Sequence, residues 1–198
     1  MRADARRNRQ RLLDAAAAVF AAHGADVPID VIAREAGVGP GTVYRHFPTK
    51  DALFEAVMLE RFAQLTAEAR TLLTAPDPGA AFLGYVEGLV IHAADQHDLV
   101  DALTRAGVDM QAVKSRVGGE LRDAIDQLLR RAQAAGAVRT DVSIAELMAL
   151  IGGIALSVRT TPGDPALLAA VVRDGLKKGG RSDVERPPSV KHGTVSPG

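Results

Sequence analysis

The chain of 198 residues is 47% hydrophobic and 24% charged, with equal numbers of basic and acidic residues. This composition excludes a disordered chain and suits one ordinary domain, or a small domain joined to a medium one. The chain has no cysteine, which excludes disulfides, a thiol nucleophile and an iron–sulfur cluster. No apolar run is long enough to span a membrane or is bounded like a secretion signal, so we expect a cytoplasmic protein.

Alanine supplies 35 of the residues, and because it is the strongest helix former we predict an all-α fold of about nine helices. The first helix is predicted over Arg6–His23, and Gly24 suits the left-handed turn that ends it. The second helix follows Pro28 and ends at Gly37. A third, short helix is predicted from Pro40 to Phe47.

The fourth helix is predicted to begin at Lys50, with Thr49 as its cap, and to reach about Leu73. Ser143 and Glu146 have the spacing of a capping box at the start of a later helix. The remaining helices are predicted near 79–94, 97–105, 109–135, 143–160 and 164–178. Residues 179–198 are rich in glycine, serine and proline and are predicted to form a mobile tail.

The most informative stretch lies between Ile29 and Lys50, where two short helices are joined by a tight turn. Ala33 permits close approach of the second of these helices, Gly37 can adopt a positive φ, and Val43 can pack inward. This spacing predicts a helix-turn-helix.

The third helix has polar side chains at its predicted exposed positions. Hydroxyl, imidazole and amide donors near a helix start suit phosphate oxygens, and the guanidinium fork of Arg45 suits guanine in the major groove. Residues 1–50 carry a net charge of +3 against −3 for the remainder, which favours an anionic partner for the N-terminal part. The predicted DNA-binding residues are Gly39, Pro40, Gly41, Thr42, Tyr44, Arg45, His46 and Lys50.

Residues 6–62 closely resemble the DNA-binding domain of the TetR family of bacterial transcriptional regulators. The matching text is Ile32-Ala-Arg-Glu-Ala-Gly-Val38, Gly41-Thr-Val-Tyr-Arg-His-Phe47 and Lys50-Asp-Ala-Leu53. The resemblance implies a homodimer whose third helices enter adjacent major grooves of a palindromic double-stranded operator. It also implies that Tyr44, His46 and Lys50 bind phosphates, and that Thr42 and the Gly39–Gly41 segment contact bases or phosphates. The chain departs from the family pattern at Ala25, where an aromatic residue is common, and at Val27-Pro28, where a threonine or serine cap is usual.

The resemblance divides the chain into a DNA-binding domain over 1–50, an effector-binding and dimerisation domain over 51–178, and the tail. It implies a small-molecule effector between the middle helices, although plain core packing is the alternative for each candidate residue. The spacing of His92, Gln96, His97 and Asp98 matches no metal site, and no cofactor is predicted. The candidate pocket residues are Phe82, Tyr85, Val86, Leu89, His92, Leu99, Leu103, Val108 and Met110.

Two apolar stripes near the C-terminus predict the dimer interface, as a four-helix bundle. Gly152 and Gly153 each weaken their helix by roughly 1 kcal/mol, and close approach of another helix would offset this. The alternative is that both stripes are buried within one protomer. The first stripe comprises Ile144, Leu147, Met148, Ile151, Ile154, Ala155 and Val158, and the second Leu167, Leu168, Val171, Val172 and Leu176.

These features predict an operator-binding repressor that a small molecule releases from DNA. A dimeric interaction protein without operator binding is the main alternative. An enzyme is disfavoured because the five histidines are scattered and no nucleophile and base converge in the sequence.

Overall fold

A computed structural model of the chain describes residues 2–24, 26–95, 110–157 and 163–179, with side chains at 7–24, 26–93, 118–157 and 163–179. Within these ranges the fold is all-helical, as predicted, and an isolated bridge pairs Val138 with Lys177. The eight helices described are α1 (Arg2–His23), α2 (Ile29–Glu35), α3 (Pro40–His46), α4 (Lys50–Leu72), α5 (Pro78–Asp95), α6 (Met110–Ala134), α7 (Ile144–Ser157) and α8 (Pro165–Leu176).

The helix bounds agree with the sequence prediction to within about one turn. The largest difference is that α1 begins at Arg2 rather than Arg6. The predicted helix near 97–105 and the predicted tail beyond residue 179 lie outside the described residues. None of the helices in the described part of the chain combines the length and the apolar composition that a membrane span requires.

Local capping signals account for where several helices begin and end. The N–H of Ala52 donates a 3.0 Å hydrogen bond to the hydroxyl of Thr49, which caps α4 as predicted. The N–H of Ser143 donates to the Glu146 carboxylate at 2.9 Å, so the predicted capping box is also confirmed. Gly24 follows α1 with φ of +74°, a conformation that costs glycine little.

The helices enclose two hydrophobic cores that meet along α4. The first core joins α1, α2 and α3 to the first half of α4 and contains a stacked pair, Phe20 and Phe54, with ring centroids 4.1 Å apart. The second joins the far half of α4 to α5, α6, α7 and α8. Phe62 packs against both cores. Because the first core extends through Met58, the transition between the two lies inside α4.

Polar contacts hold the far end of α4 and the helices around it. The guanidinium of Arg131 on α6 donates to the carbonyl oxygens of Leu73 and Ala75, just beyond the end of α4. Arg173 on α8 makes a two-point contact with Glu87 on α5, at 3.0 and 3.2 Å. The Arg131 contacts tie the end of α4 to α6, and three residues separate the start of α4 from the end of α3.

Candidate nucleic-acid interface

The turn between α2 and α3 has the geometry that the sequence pattern predicts. Gly37 has φ of +67°, and the N–H of Val38 donates to the carbonyl oxygen of Ala33 at 2.9 Å. Ala33 is buried, so α3 can cross close to α2. The residues from Ile29 to His46 thus form a helix-turn-helix.

The side chains of α3 separate into one buried position and an outward surface. All seven residues of α3 are described, and Val43 is the buried one. Phe47, directly after the helix, is buried as well. Thr42 on α3 and Lys50 at the start of α4 are half-buried. The other six predicted DNA-binding residues are exposed, namely Gly39, Pro40, Gly41, Tyr44, Arg45 and His46.

Arg45 is held against its own helix. Its Nη2 donates a 3.0 Å hydrogen bond to the Thr42 hydroxyl, and its Nε donates to the Gly41 carbonyl oxygen at 3.2 Å. A guanidinium has five N–H donors, so these two bonds leave others for a ligand. The arrangement lays the guanidinium along the surface of α3.

Lys50 places a cation in the first turn of α4. Its Nζ lies 5.8 Å from the centroid of the Phe54 ring, and Phe54 is stacked on Phe20 in the core. The N-terminal end of a helix disfavours a positive charge. The stability of α4 therefore gives no reason for a cation at this position.

Arg9 on α1 is a neighbour of the C-terminal end of α3 that our residue predictions did not single out. Its guanidinium carbon lies 5.3 Å from the centroid of the Phe47 ring. The Phe47 ring in turn lies 6.3 Å from the ring of His46. The sequence signal was the run of arginines before residue 12, which by itself does not show which arginine meets α3.

Comparison with known proteins identifies the family. Residues 12–57 match the model of the bacterial regulatory proteins of the tetR family. Residues 77–178, more than half of the chain, match the model of the C-terminal domain of SbtR-like transcriptional regulators. The chain belongs to the TetR family. It is therefore a DNA-binding transcriptional regulator of the helix-turn-helix type. The TetR family is a family of regulators and not a class of enzymes.

Individual TetR-family proteins are similar over most of the chain. A crystal structure of a TetR transcription regulatory protein from Mycobacterium vanbaalenii is 44% identical, covers 89% of this chain and 98% of that one, and has a TM-score of 0.73. The transcriptional regulator UidR of Escherichia coli is 28% identical over 73% of this chain and 76% of its own length. The transcriptional repressor KstR of Mycobacterium tuberculosis is 29% identical over 66% of this chain and 60% of its own length.

In this TetR-family protein, four of the predicted effector-pocket residues lie in the second core. Phe82 and Val86 are fully buried, and Tyr85 and Leu89 are buried beside them. These four pack against other side chains of the core. Their burial therefore agrees with plain core packing, the alternative to a role in lining an effector pocket. Of the other candidates, Leu99, Leu103 and Val108 lie outside the described residues, and for Met110 the structure describes the backbone alone.

Tyr85 ties α5 to the middle of α4. Its hydroxyl donates a 2.9 Å hydrogen bond to the carbonyl oxygen of Leu65. Burial raises the pKa of Tyr85 above its usual range, and the nearby carboxylate of Glu68 raises it further. The side chain therefore stays a neutral hydrogen-bond donor at physiological pH.

His92, the remaining pocket candidate, lines a cavity of about 260 Å³ where α1, α4 and the end of α5 meet. Arg61 also lines it, with its Nη1 donating to the Gln64 side-chain oxygen at 3.3 Å. Within the described part of the chain the buried Nε of Arg61 has no hydrogen-bond partner. Burial lowers the pKa of this guanidinium, and the charge of Glu68 opposes that shift. The full lining is Leu13, Asp14, Ala17, Val57, Glu60, Arg61, Gln64 and His92.

The two predicted interface stripes on α7 and α8 divide between the protomer's own core and its surface. Leu147, Ile151 and Val172 are buried in the second core. Large apolar side chains are exposed on the same helices at Leu150, Leu156, Leu167 and Val171. Ile144, Met148, Ala155 and Leu168 are half-buried, and Val158 lies outside the described residues.

No group of three His, Asp or Glu side chains that could hold a metal ion occurs in the described ranges.

Proposed function

We propose that this TetR-family protein is a repressor that binds a palindromic operator as a homodimer and is released by a small molecule. The observation that carries the operator contact is the division of α3. Val43 anchors the helix in the core, while Tyr44, Arg45 and His46 face solvent. A short helix with one anchored face and one polar exposed face is suited to the major groove.

The proposed contacts follow from the chemistry of the exposed groups. Arg45 reads a base through its guanidinium fork, which matches the two acceptors of guanine. Tyr44, His46 and Lys50 donate to phosphates, which position the helix without reading sequence. Thr42 and the exposed Gly39–Gly41 segment let the backbone approach the duplex closely.

Homodimer formation is supported by the apolar surface of α7 and α8. Leu150 and Leu156 are exposed on α7, and Leu167 and Val171 are each 62% exposed on α8. Gly152 and Gly153 are also exposed, with open space where a Cβ would be. Two copies packed through these helices would bury four large apolar side chains per protomer in a four-helix bundle. The interface in this proposal consists of the exposed residues, flanked by the half-buried ones.

Release by an effector is supported by the place of the cavity at His92 and Arg61. Helices α1 and α4 both line it, and α4 follows α3 after three residues. A ligand that prefers one tilt of α4 would change the separation of the two α3 helices in the dimer. Repression rather than activation is supported by the similarity to KstR, which is named a repressor.

Selection of bound fragments from genomic and random DNA, followed by footprinting, tests the proposal. We expect a symmetric protected site whose half-sites are separated by about one helical turn, roughly 34 Å. Removal of the gene should raise transcription from promoters that contain this site. A chain that forms dimers but enriches no palindrome would instead support an interaction protein without operator binding. If removal of the gene instead lowered transcription from these promoters, repression would be contradicted but operator binding would not.

A further inference from the structure

One face of α1 changes from apolar to basic along the helix. Leu13, Ala16 and Phe20 are buried in the first core on this face. Continuing toward the N-terminus at alternating spacings of four and three residues leads to Arg9, then to positions 6 and 2, which are also arginine. Residues at these spacings lie on one side of a helix. We call the positions 2, 6 and 9 the arginine face of α1.

The arginine face begins at the end of the recognition helix. Arg9 lies over the ring of Phe47, 5.3 Å from its centroid, and Phe47 directly follows α3. From Arg9 the helix continues for seven residues to Arg2, which is roughly 10 Å at 1.5 Å per residue. The face therefore starts beside Phe47, which follows the proposed phosphate contact His46 in the sequence, and continues from there toward the N-terminus of α1.

This arrangement of charge is unfavourable for α1 itself. Arginines spaced three and four residues apart repel one another, and cations near a helix N-terminus are disfavoured. Asp4 is the one acidic residue among the first eleven of the sequence. A polyanion next to the arginine face would remove both penalties. The guanidinium group suits phosphate because it can donate two parallel hydrogen bonds.

We propose that the arginine face of α1 is a second DNA-binding element, which holds backbone phosphates that flank the groove occupied by α3. This inference rests on the proposed operator binding and extends it. The contact adds affinity without reading bases, and it lengthens the protected region at each half-site. It also increases the number of counterions released on binding, so affinity depends more steeply on salt.

The same helix supplies a matched control. Arg7 and Arg11 are exposed and border a shallow cleft with Asn8 and Gln10. Their positions lie on the opposite side of α1 from Arg9. The double variants R6Q/R9Q and R7Q/R11Q remove the same charge from the same two turns of α1. They differ in which side of the helix loses it, and R9Q also removes the contact with Phe47.

The test measures operator affinity of the full chain as a function of salt concentration, together with hydroxyl-radical footprints. Each lost phosphate contact reduces the slope of log affinity against log salt by about 0.9. We expect R6Q/R9Q to lower the slope by about 1.8 per protomer and to shorten the footprint at both outer edges. R7Q/R11Q should keep the wild-type slope and footprint.

Three results would overturn the inference in different ways. An unchanged slope for R6Q/R9Q refutes the contact while operator binding stands. Equal losses in both double variants assign the effect to long-range charge and refute it as well. A wild-type chain that binds no DNA refutes the proposed operator binding, and this inference with it.

Folding is controlled separately because Arg9 also packs against Phe47. The single variant R6Q leaves that contact intact and should lower the slope by about 0.9 per protomer. The variant R9K keeps the charge and should retain most of the slope. Helical circular dichroism and the thermal midpoint of each variant show whether the protein is folded. A normal slope for folded R6Q would contradict the proposed contact at position 6.

Discussion

The Arg45 guanidinium and the Thr42 hydroxyl form a 3.0 Å hydrogen bond along the exposed side of the recognition helix. A second hydrogen bond, from Arg45 to the Gly41 carbonyl oxygen, also holds the guanidinium on its own helix. This guanidinium is the group that we propose reads a base. A side chain ordered in this way loses less conformational entropy on binding than a freely rotating one.

Replacement of Arg45 by alanine should relax the sequence preference at one base pair of each half-site. A bidentate contact to guanine provides about 1–3 kcal/mol of discrimination, which this variant loses. Competition binding with a set of single-base operator variants measures it. Arg45→Lys is the control for charge, because a lysine keeps the charge and can donate to guanine but lacks the planar fork, so it should restore the preference only in part. An unchanged ranking of the operator variants would contradict the role of Arg45.

Replacement of Lys50 by alanine should weaken binding to all DNA sequences by a similar factor. The reason is that a phosphate contact carries no sequence information, and its loss should reduce the salt slope by about 0.9 per protomer. Tyr44→Ala should also weaken all sequences alike. Arg122→Ala, at an exposed arginine on α6, is the control for a lost positive charge. Wild-type affinity of the Lys50 variant at moderate salt would refute the assignment.

Leu147 and Leu150 lie one turn apart on α7, and substitutions at the two positions should affect different properties. The first should lower folding stability, and the second should weaken the proposed dimer. Leu147 is fully buried, so Leu147→Ala should lower the free energy of unfolding by about 2–5 kcal/mol. Leu150 is 46% exposed, so Leu150→Lys should dissociate the proposed dimer and leave the protomer folded. Sedimentation and chemical unfolding at one fixed protomer concentration separate the two effects. A Leu150→Lys variant that remains a dimer would exclude this face as the interface.

Two glycines of α5 should give stability changes of opposite sign when replaced by alanine. A Cβ at Gly79 would lie 2.4 Å from the Cβ of Ala137, whereas a Cβ at Gly84 would have nothing within 4 Å. Gly84→Ala should therefore raise the free energy of unfolding by about 0.5–1 kcal/mol, because alanine has the higher helix propensity. Gly79→Ala should lower it, because the backbone of α5 must move. Thermal unfolding of the two variants compares them directly. A stabilising Gly79→Ala would contradict the prediction, because it would show that the contact with Ala137 relaxes at little cost in free energy.

Tyr85 should make the protein sensitive to alkaline pH. Because burial raises the pKa of Tyr85 above its ordinary value of 10.0, its contribution to stability is fully present below about pH 10. The contribution is lost as the pH rises from that value toward the raised pKa, since the unfolded chain releases the phenolic proton first. Tyr85→Phe should lower the free energy of unfolding at neutral pH by about 1 kcal/mol through the lost hydrogen bond to Leu65.

The Tyr85 prediction is checked by urea unfolding of both proteins between pH 8 and pH 11. The stability curve of the Tyr85→Phe protein should be flatter than that of the wild type above about pH 10. Lysine deprotonation affects both proteins alike, so the difference between the curves isolates Tyr85. Parallel curves would show that the buried phenol does not govern alkaline stability.

Much of the fold follows from local sequence signals because the physical causes are themselves local. A helix is closed by hydrogen bonds four residues apart, and Thr49 and Ser143 cap helices with atoms two or three residues away. The helix-turn-helix also depends on local signals. Gly37 forms the turn, and Val43, six residues later, anchors the helix that follows it. The outward face of α3 follows from that turn and from the anchor at Val43. These features could be predicted from the order of residues alone.

The partners of each apolar face were decided only by the tertiary packing. Helical periodicity predicts that Leu147 and Leu150 belong to a largely apolar helix, but it does not reveal whether a side chain meets its own core or the surface. The burial of Phe82 and the approach of Arg9 to Phe47 depend in the same way on helices that are distant in the chain. Contacts of this kind are set by which helices cross and at what angle, and that geometry is a property of all the packed side chains together.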